Sequence, residues 1–84
     1  MDVAKFKELL DQTYQWPDYY DFKWIVKAED VEALSQLLPG FTLTQTPSKQ
    51  GTYISLNARK LINSTQEVID TYEKAGSVKG IMSL

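Results

Sequence analysis

Eighty-four residues, 43% of them apolar, support one hydrophobic core, and two Trp, five Tyr and three Phe give it too much bulk for an intrinsically disordered chain. A formal net charge of −2 offers no long-range attraction to phosphate backbones or anionic membranes, so neither nucleic acid nor membrane is an expected partner. Cysteine and histidine are absent, which excludes disulfides, thiolate nucleophiles and zinc-thiolate sites and removes the usual general base near neutral pH; no cofactor, metal or catalytic residue is expected.

The chain opens on a predicted helix. Asp2 is placed to cap it, Val3, Phe6, Leu9 and Leu10 recur at helical spacing, and it ends before Pro17. Its stripe is short, which predicts an N-terminal helical appendage over residues 1–15 and a domain proper over residues 16–84. From Tyr19 to Val26 the period becomes two, with Tyr20, Phe22, Trp24 and Val26 alternating against Tyr19, Asp21, Lys23 and Ile25. This is a strand with one decidedly apolar face. Glu29 and Asp30 then suit the positive end of a second helix carrying Val31, Leu34, Leu37 and Leu38, which Pro39-Gly40 terminates.

Phe41 to Thr46 alternates again as a second strand, with Phe41, Leu43 and Gln45 on one side and the threonines on the other. Pro47-Ser48-Lys49-Gln50-Gly51 reverses the chain, since proline fixes its own φ and the glycine can adopt a positive one. In the third strand Ile54, Leu56 and Ala58 share an inward face opposite Tyr53, Ser55 and Asn57. Ser64-Thr65-Gln66-Glu67 has the spacing of a capping box, and Val68, Ile69, Tyr72 and Ala75 continue as a helical stripe that stops at Gly76. Val78 to Leu84 reads as a closing strand.

Apart from the leading helix, this order predicts an α+β fold, a ferredoxin-like β-α-β-β-α-β sandwich whose four-stranded antiparallel sheet carries both helices on one face. The first and third strands should lie side by side. Asp21 and Lys23 of the first, with Tyr53, Ser55 and Asn57 of the third, then project together from the uncovered face as a polar patch holding one aromatic ring. That patch is the candidate surface for a partner or small ligand. The ordinary alternative is a solvated sheet face on which Lys23 meets an acid and Tyr53 shields the strands.

Other candidates are weaker. The loop Ser48–Gly51 could offer N–H groups and one ammonium to an anion, yet it lacks the spacing of a phosphate loop and no helix follows it. Asp18 with Asp21, and Glu29 with Asp30, are acid pairs without a supporting motif. RNA stacking on the sheet is disfavoured because Phe22 and Trp24 belong to the inward set.

Two stretches resemble a known group. Trp16-Pro17, Tyr20 and Phe22-Lys23, then Pro47-Ser48, Gly51, Tyr53 and Ser55, and finally Tyr72-Glu73 and Gly76 ahead of the last strand, are similar to the YbeD-like family of small bacterial proteins. The resemblance runs from about Trp16 to the end and implies a fold like that of ACT regulatory domains, which commonly pair and bind small effectors. It implies no catalytic activity. The expectation is a non-enzymatic regulatory or adaptor module acting through protein association, as a homodimer, with an ACT-like amino-acid or metabolite sensor as the alternative. No apolar run approaches the ~20 residues of a membrane span, and Met1 to Lys5 lacks the basic start of a secretory signal, so the expected location is cytoplasmic.

Overall fold

A computed structural model describes residues 2–83. Asp2 accepts a hydrogen bond from the Lys5 N–H at 3.2 Å and so starts α1 (Val3–Thr13), whose first-turn donors would otherwise go unpaired. After Trp16-Pro17 the alternating run becomes β1 (Asp18–Lys27). A 3-10 turn at Ala28–Asp30 leads into α2 (Val31–Gln36), followed by β2 (Thr42–Pro47), β3 (Tyr53–Ile62), α3 (Thr65–Ala75) and β4 (Met82–Ser83). The fold is α+β, with a four-stranded antiparallel sheet in the order β2-β3-β1-β4.

The apolar sets meet on one side of that sheet. Phe22, Trp24 and Val26 from β1, Leu56, Ala58 and Ile62 from β3, Leu34 and Leu38 at α2, Val68 and Ala75 from α3 and Leu10 from α1 form a single buried cluster. Phe22 and Trp24 stack with centroids 5.3 Å apart and are fully buried, the largest apolar contribution to the core. Every second residue of β1 and β3 therefore faces away from the helices.

Two main-chain bonds fix which strand each backbone group of β3 addresses. Ser48 N–H donates to the Tyr53 carbonyl and Ala28 N–H to the Thr52 carbonyl, and the register runs without interruption on both sides of β3. Hydrogen-bonded pairs alternate along an antiparallel ladder, so Ser55, Asn57 and Arg59 bond to β2 while Ile54, Leu56 and Ala58 bond to β1. The same alternation turns the backbone groups of Leu43 and Gln45 in β2, and of Tyr19, Asp21 and Lys23 in β1, toward the outer edges of the ladder.

Two sequence expectations are corrected. Glu29 and Asp30 lie in the 3-10 turn, and Asp30, which precedes α2, makes no side-chain capping bond; the tighter turn carries the chain directly out of β1. The closing strand does not begin at Val78. Val78 N–H bonds back to the Ala75 carbonyl, Gly80 takes φ +71°, and extended pairing starts only at Met82, opposite Ile25. A positive φ suits glycine because it has no Cβ, and here it delays entry into the sheet. Leu84, part of the expected strand, lies outside the described residues.

Candidate docking surface

β1 and β3 pair over their whole ten-residue lengths, which puts the outward side chains of both in one array. Lys23 lies opposite Asn57, Ile25 opposite Ser55, Asp21 opposite Arg59, Tyr19 opposite Leu61, and Lys27 opposite Tyr53. All five residues read from the sequence are on this face. Asp21, Lys23, Ser55 and Asn57 are near neighbours in the middle of it, whereas Tyr53 stands at the hairpin end. Thr42, Thr44 and Thr46 of β2 extend the face beside Arg59, Asn57 and Ser55, and Met82 borders it beside Ile25.

The face is more apolar at its ends than the sequence reading supposed. Tyr19 is 54% exposed, Leu61 43% and Tyr53 40%, and no helix covers them. Arg59 joins the polar and apolar parts. Its Nη1 donates to Asp21 Oδ2 at 2.9 Å while its guanidinium carbon sits 4.8 Å from the centroid of the Tyr19 ring. Both charged side chains are about half exposed, so the ion pair adds little stability. Its effect is to hold a cation over an aromatic ring in the open, a pairing common at protein interfaces. Among the described residues the two ion pairs are Arg59 with Asp21 and Lys60 with Glu67, and neither uses Lys23.

Arg59, Tyr19 and Leu61 were missed as site residues. The signal was present: the alternation that places Ser55 and Asn57 outward continues through Arg59 and Leu61, because β3 runs four residues past Ala58. Reading that strand only to its last small residue lost the most interactive part of the face.

The other candidates are used structurally. Gly51 N–H donates to the Ser48 carbonyl at 3.0 Å and Tyr53 N–H to Ser48 Oγ at 3.2 Å, so the hairpin consumes donors that an anion would need. Asp18 accepts from the Tyr19 N–H at 2.7 Å, and Asp21 is held by Arg59. No group of three or more acidic side chains is placed to hold a metal ion among the described residues. On the helical side an apolar cleft of about 310 Å³ is lined by Val3, Phe6, Ile69, Tyr72, Glu73 and Ser83.

No family model matches the chain, and no curated protein or solved structure matches it significantly. No helix among the described residues is long and apolar enough to cross a membrane.

Proposed function

We propose that the protein is a non-enzymatic regulatory or adaptor module, a ferredoxin-like β-α-β-β-α-β domain with an added N-terminal helix, that docks a protein partner on its open sheet face. The strand order β2-β3-β1-β4 supports the fold assignment. The observation that carries the functional reading is the row Leu61, Tyr19, Arg59 and Asp21, where exposed apolar surface and a positioned cation lie side by side on rigid central strands. Aromatic and Arg side chains supply most of the energy of known interfaces, and strands hold them with little ordering cost. The resemblance to YbeD-like proteins and the absence of His and Cys fit an associating module better than a catalyst.

Capture from native lysate with the wild-type chain and with Tyr19→Ala, Arg59→Ala and Tyr53→Ala variants tests this. Loss of the same co-purifying protein from the Tyr19 and Arg59 variants is expected, since hot-spot truncations cost about 2 kcal/mol or more. A partner set unchanged in all three variants removes the face as a docking surface.

A small-molecule sensor is the second reading, and the cleft beside Phe6 and Tyr72 favours it, its volume falling at the lower end for ligand sites. A thermal-shift screen of amino acids and metabolites separates the two, because a ligand at a hundredfold excess over its Kd adds about 2.7 kcal/mol.

A further inference from the structure

β2 is the outer strand of the sheet next to β3, and its free edge lacks the devices that keep such edges apart. From Thr42 to Thr46 it carries no charge and no bulge, and four of its six residues are Thr or Leu. Pro47 comes only at the last position. The other side of the sheet differs. There β4 covers Ile25, the Asp18 carboxylate occupies the Tyr19 N–H, and the charges of Asp21 and Lys23 flank what is left. One edge is protected and the other is built to pair.

We propose that β2 pairs antiparallel with β2 of a second copy of this chain, across a two-fold axis at Thr44, joining the two sheets into one. The inference goes beyond the docking face, which such a dimer leaves uncovered.

The register follows from the backbone groups that face outward. These belong to Leu43 and Gln45, while the Phe41 N–H is directed to the Leu38 carbonyl and Pro47 has no N–H to give. Centring the axis on Thr44 sets each Leu43 against the partner's Gln45, so every outward N–H of the two strands meets a carbonyl without recourse to Phe41 or Pro47. Shifting the axis by one residue makes one of those two a required participant.

The side chains select a second copy over a foreign strand. Thr42-Leu43-Thr44-Gln45-Thr46 is symmetric about its centre in the residues that share the open face. Antiparallel self-pairing therefore aligns Thr42 with Thr46 and Thr44 with its equivalent, cross-strand threonine pairs that are favourable, and places no like charges opposite one another. On the other face the half-buried Leu43 and Phe41 gain cover. A six-residue strand spans only about 20 Å. Pairing along so short a strand buries less than the roughly 800 Å² per partner of a standard interface, so the dimer is reversible and forms with rising concentration.

Sedimentation equilibrium from low micromolar to submillimolar protein, with amide hydrogen exchange across the same range, tests the assignment. A monomer-dimer equilibrium is expected, and the Leu43 and Gln45 amides, open to solvent in the monomer, should become protected as the dimer fills. Thr44→Lys, at an exposed position, should weaken association at least about tenfold by facing two ammonium groups across the axis, while Thr44→Val keeps it. An unchanged urea midpoint for Thr44→Lys at low concentration shows that its fold is intact. A monomer at every concentration overturns the proposal and leaves the docking face to its own test. A dimer that ignores Thr44→Lys, leaves both amides open and dissociates with Tyr19→Ala also overturns it, and moves self-association to the open face.

Discussion

Tyr20 shows how one side chain ties the leading helix region to the core. Its ring lies 4.6 Å from Phe22 and 5.5 Å from Tyr14, and its hydroxyl is 3.3 Å from that of Tyr72 on α3. Burial first, then the hydrogen bond to Tyr72, raises its pKa well above the ordinary phenol value of 10.0. Tyr14 is raised too, by burial and then by Tyr20, Asp18 and Asp21. A raised folded-state value means that above pH 10.0 the unfolded chain ionises while the native Tyr20 does not. The stabilisation is complete below that pH and is lost as pH rises further. Urea midpoints should be flat through neutrality and fall above pH about 10. Tyr20→Phe should cost about 1 kcal/mol at neutral pH through the lost hydroxyl pair and show a shallower alkaline fall. An equally steep alkaline fall in the variant would assign the effect to other groups. The alternation made the side of Tyr20 legible in the sequence, but its partner was not, because pairing with Tyr72 depends on where α3 crosses the sheet.

At the scale of elements, α3 is the one whose boundaries are written in its own residues. Ser64 Oγ accepts the Glu67 N–H at 3.2 Å, while Glu67 reaches back to the Asn63 N–H at 3.1 Å and lies 3.5 Å from Lys60. The return bond falls one residue earlier than in the usual box, so Glu67 secures the end of β3 as well as the start of α3. Ser64→Ala should lower stability by about 1 kcal/mol, and Ser77→Ala, which removes an exposed bond to the Lys74 carbonyl at the other end of α3, by less. A midpoint for Ser64→Ala equal to that of the unchanged chain would show that the cap contributes nothing. Elements whose ends depend on local chemistry were readable in this way: α1 from Asp2, the hairpin from Pro47 and Gly51, α3 from Ser64. The 3-10 turn and the late start of β4 were not. Each is set by how far the chain must travel between layers, and an apolar run such as Val78 to Leu84 fits a buried turn residue followed by a short strand as well as it fits a long strand. The docking face was half legible for a related reason, since period two assigns a side to each residue but not the point at which pairing stops.

For the whole molecule, the relation between residues 1–15 and the rest decides how the chain should be divided. Leu10 is only 4% exposed and belongs to the central cluster, and Phe6 meets Tyr72 edge-on at 5.8 Å. A relay of hydrogen bonds runs from Trp16 Nε1 to Thr65 Oγ1 at 2.8 Å and from that hydroxyl to the Asp11 carboxylate. Through it α1, the chain leading into β1 and the first turn of α3 share one part-buried polar contact. Thr65 is buried, and without Asp11 its hydroxyl proton has no acceptor, a cost of roughly 1–3 kcal/mol. Truncating Leu10 to Ala should cost about 2–5 kcal/mol. A chain of this length has a total stability on the order of 4–12 kcal/mol, so either change removes a large fraction of it. Leu10→Ala should therefore lower the urea midpoint strongly without broadening the transition, and a chain starting at Trp16 should be largely unfolded in water at 25 °C. Both outcomes follow if α1 and the sheet melt as one cooperative unit. Should the shortened chain keep the full midpoint and a sharp transition, residues 16–84 would be a self-sufficient domain and Leu10 a contact made after folding is complete.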